Sequence, residues 1–380
     1  MNSPICKLLG IEFPLVAFTH CRDVVVAVSK AGGMGVLGAV GLTPEQLETE
    51  LRWIDEHIDG LPYGVDLLIP ATMVGKGEDI PERDILAMVP ERHKQFAASV
   101  LAEQGVDPDG IDDRTRSRHM TMNTNLRDSG ARRLLDVAFS HPIRLIANAL
   151  GVPPDYMLKT GKDKGVAVAA LVGAKEHAIK QVQAGVDILV VSGTEGGGHC
   201  GSVSTIVLVP EVHEAIQPYG NVPILAAGGI VTGRQMAACM AMGAAGAWTA
   251  SVWLTTAEAE TSPVVKEKML AASSSQTVRS KSRTGKYSRQ LRSAWTDAWE
   301  RPDAPEPLPM PLQSLVSEPA LRKIDKLSQG GHEGARRLAT YWVGQGVGLM
   351  NHETSVRQVV QEFQEDFLEA YERLQAMLEG

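Results

Sequence analysis

The strongest constraint on the fold is a series of eight short apolar segments separated by segments with helical periodicity. Each apolar segment carries Val, Ile, Leu and Ala at both odd and even positions, as strands buried on two faces require. Eight such strands alternating with helices predict a (β/α)8 TIM barrel, an α/β fold, in preference to a doubly wound open sheet. The predicted strands are residues 14–18, 35–39, 64–68, 143–148, 166–171, 187–192, 223–228 and 247–253.

Two segments interrupt this alternation. Residues 72–135, after the third strand, are too many for a bare loop and predict a helical insertion. The insertion could cap the active site, or it could be a solvated excursion of the chain. Residues 257–380 predict a C-terminal helical extension that packs on the barrel and ends in an amphipathic helix near 354–378. The predicted barrel is therefore made of residues 1–71 and 136–256.

Composition excludes several classes of partner and site. The formal net charge of −8 leaves no basic field for nucleic acid or anionic lipid. No apolar segment reaches the 18 residues needed to span a bilayer, and the start of the chain does not resemble a signal peptide, so a cytoplasmic location is expected. The four cysteines show no C-x-x-C spacing, which disfavours a disulfide framework or a zinc centre, and no metal site is predicted.

The most specific local pattern is SGTEGGGHCG, residues 192–201, which directly follows the sixth predicted strand. Active sites of these barrels are assembled at the carboxyl ends of the strands. Glycines let the backbone approach a ligand closely, and a histidine among them can exchange a proton near neutral pH. The pattern predicts His199 as a catalytic acid or base. The alternative is a flexible glycine-rich turn that carries an incidental histidine.

Two further glycine-rich segments follow the seventh strand (226–234) and lead into the eighth (243–251). Loops after these two strands often bind phosphate, and free N–H groups at a helix N-terminus favour anions. Together they predict a phosphate-bearing cofactor, although glycines needed only for packing would give the same pattern. The basic cluster Arg279, Lys281, Arg283 and Lys286 is expected on a solvated surface, with phosphate contact as the less favoured interpretation.

Taken together, these motifs resemble the nitronate monooxygenases, formerly called 2-nitropropane dioxygenases. Residues 193–201 are similar to the family run G-x-E-A-G-G-H-x-G, with Gly196 in place of Ala. Residues 31–39 resemble its A-G-G-L-G element, 226–234 its flavin-phosphate loop, and 341–345 its W-x-G-Q motif. The family consists of FMN-dependent (β/α)8 enzymes related to the flavin enoyl-acyl-carrier-protein reductases. The resemblance covers most of the chain outside residues 72–135.

The resemblance implies roles for individual residues. His199 would be the catalytic base beside the flavin, and Asp66 stands where the family usually has Asn at the flavin edge. The first strand lacks the family's usual turn, and His20 in the shortened turn could face the flavin. The residues implied in cofactor binding are Asp66, Gly193, Gly197, Gly198, Ala227, Gly228, Gly229, Ala250 and Ser251.

The resemblance implies an FMN-dependent oxidoreductase that uses O₂ to convert alkyl nitronates or nitroalkanes into a carbonyl compound and nitrite. The alternative within the same fold is NAD(P)H-dependent reduction of an enone, a quinone or an enoyl or acyl-CoA thioester. A third hypothesis is a flavin-binding or assembly module that has lost catalysis. The C-terminal helix is compatible with a homodimer.

Overall fold

Eight parallel strands close into a barrel in this computed structural model, which describes residues 1–69, 82–109 and 125–379. The predicted (β/α)8 fold is therefore confirmed. The last predicted strand, 247–253, is wrong beyond Thr249, because Ser251–Thr255 forms a 3₁₀ helix. In barrel order the strands are β1 (Leu15–Thr19), β2 (Met34–Gly38), β3 (Gly64–Leu67), β4 (Leu145–Asn148), β5 (Ala167–Val172), β6 (Ile188–Ser192), β8 (Ile224–Ala227) and β9 (Gly246–Thr249).

Apolar residues at both parities are needed because each barrel strand is buried on two faces. Val16 and Met34 belong to the cluster that fills the barrel, whereas Leu15 and Ala17 pack outward under the helices. The barrel closes where β1 pairs with β9 through Val16 and Trp248. This arrangement explains why the strands read as continuous apolar runs.

The C-terminal helix of the chain completes the ring of helices around the barrel. Val356–Glu379 packs between Gly233–Ala241 and Arg22–Lys30, where the eighth helix of a regular barrel would lie. No helix among the described residues is both long and apolar enough to cross a membrane. The remaining helices are Pro4–Leu9, Pro44–His57, Glu82–Ala87, Glu91–Glu103, Asp128–Ala138, Asp155–Lys164, Lys175–Ala184, Thr205–Ile216, Pro263–Leu270, Ala294–Trp299, Leu312–Gln329 and Glu333–Leu338.

The segment after β3 and the C-terminal segment share a second hydrophobic core. Val100 and Leu101 pack in one cluster with Trp295, Trp299 and Leu321, from helices far along the chain. Of the predicted insertion, residues 72–81 and 110–124 lie outside the described part, and its predicted limit at 135 falls inside Asp128–Ala138. The division into barrel, insertion and extension remains a prediction.

A second sheet lies outside the barrel. It consists of β7 (Gly198–His199), β10 (Thr277–Ser280) and β11 (Ser288–Leu291), all antiparallel. The glycine-rich segment after β6 supplies β7, and a hairpin of the C-terminal segment supplies the other two strands. The sequence did not predict this hairpin, because the polar and basic residues from 277 to 291 lack the apolar alternation of a half-buried strand.

A close approach of backbones holds the C-terminal helix on the barrel. A Cβ on Gly233 would overlap the Phe363 carbonyl oxygen and would lie 2.6 Å from the Phe367 nitrogen. We therefore expect Gly233→Ala to lower the free energy of unfolding by about 1–3 kcal/mol, since the two helices must separate. Urea denaturation measures the change. Gly330→Ala is the control, because its Cβ would meet nothing closer than 3.4 Å. Equal stabilities of the two variants would contradict this packing argument.

Candidate functional site

His199 lies on β7, where a hairpin of the C-terminal segment fixes the backbone. Ser288 pairs with His199 and Arg289 pairs with Gly198. The Arg289 guanidinium also donates through Nε to the Thr194 carbonyl oxygen at 2.9 Å. A segment with several glycines has high conformational entropy when free, so these contacts are what hold the imidazole in one place.

The hydrogen bonds of His199 define its tautomer. The Thr284 hydroxyl donates to the Lys286 carbonyl oxygen at 3.2 Å, so its oxygen accepts from Nε2–H of His199 at 2.8 Å. Nδ1 then carries the lone pair, and it has no hydrogen-bond partner among the described residues. A neutral imidazole with a fixed proton on one nitrogen and a free lone pair on the other is arranged as a general base.

The surroundings of His199 keep the ring neutral. Burial lowers its pKa first, and the nearby positive charges of Lys286 and Arg283 lower it further, to about 4. An ordinary histidine has a pKa of 6.5. His199 is therefore deprotonated, and able to accept a proton, throughout the neutral range.

The loops after β6 and β8 touch through their glycines. Gly193 donates its N–H to the Ala227 carbonyl oxygen at 3.0 Å. A Cβ on Gly228 would lie 2.9 Å from the Gly193 nitrogen and 2.5 Å from the Thr205 hydroxyl. Glu195 in the same loop accepts hydrogen bonds from the Thr205 N–H (2.9 Å) and hydroxyl (2.8 Å), which fixes the start of Thr205–Ile216. The structure thus brings the loops after β6 and β8 into direct contact.

The corner between β8 and β9 has donors suited to a phosphate. Gly228 and Gly229 have φ of 111° and 69°, which glycine adopts without strain. The N–H groups of Gly228, Gly229 and Ala250 donate to no other described residue. The Ser251 hydroxyl accepts from Gly344 N–H at 2.9 Å, which leaves its own proton free to donate. Gly197 also lies here, because a Cβ on Gly344 would approach its nitrogen to 3.1 Å.

The helix after β8 does not provide the free N-terminus that the sequence predicted. The carboxylate of Asp366 on the C-terminal helix accepts from Arg234 N–H at 2.6 Å. Thr232 and Gln235 form a capping box at the same end. That part of the anion-site expectation is wrong, because the C-terminal helix already supplies a carboxylate there. The free donors at this corner are therefore those of the two loops.

Asp66 on β3 lies far from this corner, since its strand is on the opposite side of the barrel. It neighbours Gly38 and Ala147 in the sheet and is 4% exposed. Its Oδ2 has no hydrogen-bond partner in the described part of the chain, and burial raises the pKa of the carboxyl group. Burial therefore favours the neutral, protonated form of Asp66, which has an unused polar atom.

A cavity of 450 Å³ opens at the carboxyl ends of β1 and β2, within the size range of small-molecule sites. His20 lines it, with Nδ1–H donating to the Gly38 carbonyl oxygen at 2.9 Å. Cys21 also lines it, with ligand atoms of Asp23 and Glu260 nearby. Because burial raises the pKa of the Cys21 thiol, the thiolate that binds metals is disfavoured. Contact of His20 with a cofactor remains a prediction.

The basic cluster is not wholly on a solvated surface. Arg283 is 6% exposed and forms a buried ion pair with Glu318, with Nε 2.6 Å from Oε1. Its guanidinium lies 3.6 Å from the centre of the Trp342 ring. The expectation of solvent exposure was wrong here because the C-terminal segment folds over the barrel mouth. Sequence reasoning also missed Thr284 and Arg289. Their roles depend on the pairing of β11 with β7, which no local sequence pattern predicts.

A barrel with a polar, glycine-lined site at the carboxyl ends of its strands has the architecture of a (β/α)8 enzyme. The nitronate monooxygenase family model matches residues 2–366. The chain therefore belongs to the nitronate monooxygenase family and is an oxidoreductase. It is 51% identical over 381 residues to the provisionally named monooxygenase Rv1533 of Mycobacterium tuberculosis, covering 100% of both chains. A Bacillus subtilis protein named probable nitronate monooxygenase is 26% identical over 351 residues, 90% of each chain.

Solved structures support the fold. A nitroalkane oxidase from Streptomyces ansochromogenes matches with a TM-score of 0.77 and 23% identity, covering 97% of this chain and 99% of that one. FabK from Thermotoga maritima matches with a TM-score of 0.69 and 24% identity, covering 99% of each chain.

The raised pKa of Asp66 gives a testable effect on stability. Between the ordinary carboxyl value of 3.8 and the folded-state value, only the unfolded chain ionises, so wild-type stability falls as pH rises. We expect Asp66→Asn, which cannot ionise, to be more stable than wild type at pH 7, with a smaller difference at pH 4. Urea unfolding of the apoprotein measures this, with exposed Asp297→Asn as control. A difference independent of pH would show that folding does not raise the pKa of Asp66.

Proposed function

We propose that this protein is an FMN-dependent oxidoreductase of the nitronate monooxygenase type, acting on alkyl nitronates or nitroalkanes to give a carbonyl compound and nitrite. The observation that carries the proposal is the geometry of His199. It is a neutral imidazole with its proton held by Thr284 and its Nδ1 lone pair free, among glycine-lined loops at the barrel mouth. A carbon acid next to a nitro group requires such a base, because its α-proton must leave before the carbon is oxidised.

The residues at the β8–β9 corner fit the phosphate of FMN. Free N–H groups of Gly228, Gly229 and Ala250, together with the Ser251 hydroxyl, can donate to phosphate oxygens, as helix and loop N–H groups do in other phosphate sites. Gly193 and Gly198 would lie along the flavin or its ribityl chain, with Gly197 and Ala227 beside them. Bound there, the flavin would supply the electron-transfer and O₂ chemistry.

His199 has two roles, depending on the substrate. With a neutral nitroalkane, Nδ1 accepts the α-proton, and Thr284 keeps the ring oriented while it becomes charged. With a nitronate, which has already lost this proton, the imidazole positions the substrate and needs no proton transfer. The cations that lower the pKa of His199 oppose its protonation, so neutral carbon acids should be the slower substrates.

The cofactor is tested by the visible spectrum of the purified protein and by identifying the released compound after denaturation. A colourless protein that does not bind added FMN would refute the proposal. Anaerobic mixing then distinguishes the reactions. Loss of flavin colour with ethyl nitronate, and not with NADH or NADPH, supports the monooxygenase. Rapid loss with a reduced nicotinamide would favour the reductase of enones, quinones or acyl-CoA thioesters.

Removing the base should separate the two substrate classes. We expect His199→Ala to lower kcat/KM for nitroethane by about 10²–10⁴-fold, the usual contribution of a general base. The loss with preformed ethyl nitronate should be much smaller. Steady-state oxygen consumption measures both, and His177→Ala, exposed on Lys175–Ala184, is the control. An equal loss of kcat/KM with both substrates would show that His199 does not act by abstracting the α-proton.

The pH dependence follows from the lowered pKa of His199. With a pKa of about 4, the ring loses base activity only as pH falls through that value, well below the ordinary 6.5. We expect kcat/KM for neutral nitroethane to have its acidic limb near pH 4, measured by short assays after a pH jump. An acidic limb near 6.5 would mean that the ring is solvated and not influenced by its neighbouring cations.

A further inference from the structure

The hairpin that holds His199 carries positive charges that the chain itself only partly neutralises. Lys281 pairs with Glu306 at 3.4 Å, and Arg283 pairs with Glu318. Lys286, in the turn between β10 and β11, differs from both. Its side chain has no carboxylate partner and no hydrogen-bond acceptor among the described residues, although it is half-buried.

Lys286 is close to the catalytic histidine. Thr284 accepts from His199 Nε2–H at 2.8 Å, and the same hydroxyl accepts from Lys286 N–H at 3.4 Å and donates to the Lys286 carbonyl oxygen. The turn passes through Gly285, with φ of 81°. Lys286 therefore lies in a fixed turn bonded to the same hydroxyl that His199 contacts, and its positive charge lowers the pKa of that ring.

Arg283 adds a second unused donor in the same turn. Its Nε and Nη2 bond to Glu318, but Nη1 is buried and has no acceptor among the described residues. Arg283 is 6% exposed, so this N–H group cannot be satisfied by bulk water. A half-buried cation without a counter-ion and a buried donor without an acceptor are both unfavourable in the free protein. Both costs would be relieved by an anion bound against this turn.

We propose that Lys286, together with Arg283 in the same turn, is the anion-binding part of the substrate site and selects the nitronate anion over the neutral nitroalkane. This inference rests on the proposed function of the same site. Charge on the nitro oxygens of a nitronate would meet the Lys286 ammonium while the carbon lies toward His199. A neutral nitroalkane gains far less from the ammonium, because its nitro group carries no net charge.

The test is Lys286→Met, which keeps the length of the side chain and removes the charge. We expect KM for ethyl nitronate to rise about 10- to 100-fold, the range for losing a hydrogen bond to a charged group, while KM for nitroethane changes little. Lys286→Arg should retain most of the affinity for the nitronate. Arg292→Met is the matched control, since Arg292 pairs with Asp297 and is 62% exposed. Equal changes with both substrates would overturn the proposal.

A binding measurement keeps the proposal independent of turnover. Nitrate, a planar oxyanion like the nitro group of a nitronate, is titrated into the holoenzyme while the flavin absorbance is followed. Wild type should bind nitrate at least tenfold more tightly than Lys286→Met. If wild type oxidises no nitronate but this difference is present, the anion site stands and the proposed reaction fails. Equal nitrate affinities in the two proteins would refute the anion site.

Two further readouts separate anion binding from other roles of the lysine. Loss of its positive charge should raise the pKa of His199, measured by NMR titration of the imidazole, because Lys286 acts on that ring electrostatically. The FMN dissociation constant should stay unchanged. If Lys286→Met weakened FMN binding and left KM for ethyl nitronate unaltered, the cation would serve the cofactor, and the proposal would be wrong.

Discussion

The antiparallel pairing of His199 with Ser288 is the contact on which the candidate site depends. It joins a glycine-rich loop of the barrel to a hairpin from the C-terminal segment, and it brings Thr284, Lys286 and Arg283 around one imidazole. Glycines allow the loop to take this path. The hydrogen bonds of the pairing offset the conformational entropy that the glycines lose when the loop becomes ordered. Without the hairpin, the histidine would lose the Thr284 contact that defines its tautomer and the two cations that lower its pKa.

The C-terminal segment therefore contributes both to the helix ring around the barrel and to the candidate site. Its last helix takes the eighth position in the ring, held by the close contact at Gly233. Its middle part shares a hydrophobic core with the helices that follow β3, and Gly344 contacts the loops that carry Gly197 and Ser251. Because these contacts are distributed along the segment, its folding and the assembly of the site are coupled.

The electrostatics of the mouth follow from burial. His199 is kept neutral by desolvation and by two neighbouring cations, whereas for Asp66 desolvation alone raises the pKa and favours the neutral form. The site thus combines a base that stays unprotonated with positive charge that its own carboxylates do not fully neutralise. Such a combination suits substrates that are anions, or that become anions when the base removes a proton.

The sequence alone determined the barrel, because strands buried on both faces carry apolar residues at both odd and even positions, and that pattern is local. It also marked His199, Gly228 and Gly229, since glycines next to a strand end signal close approach of a backbone. Only the tertiary structure decided that Arg283 is buried and that Asp366 fills the helix end after β8. It alone decided that Thr284 contacts the histidine and that Lys286 lies in the same turn. Those features depend on contacts between segments far apart in the chain. A local sequence pattern does not show such contacts, and the short polar hairpin lacks the apolar alternation that would predict a strand.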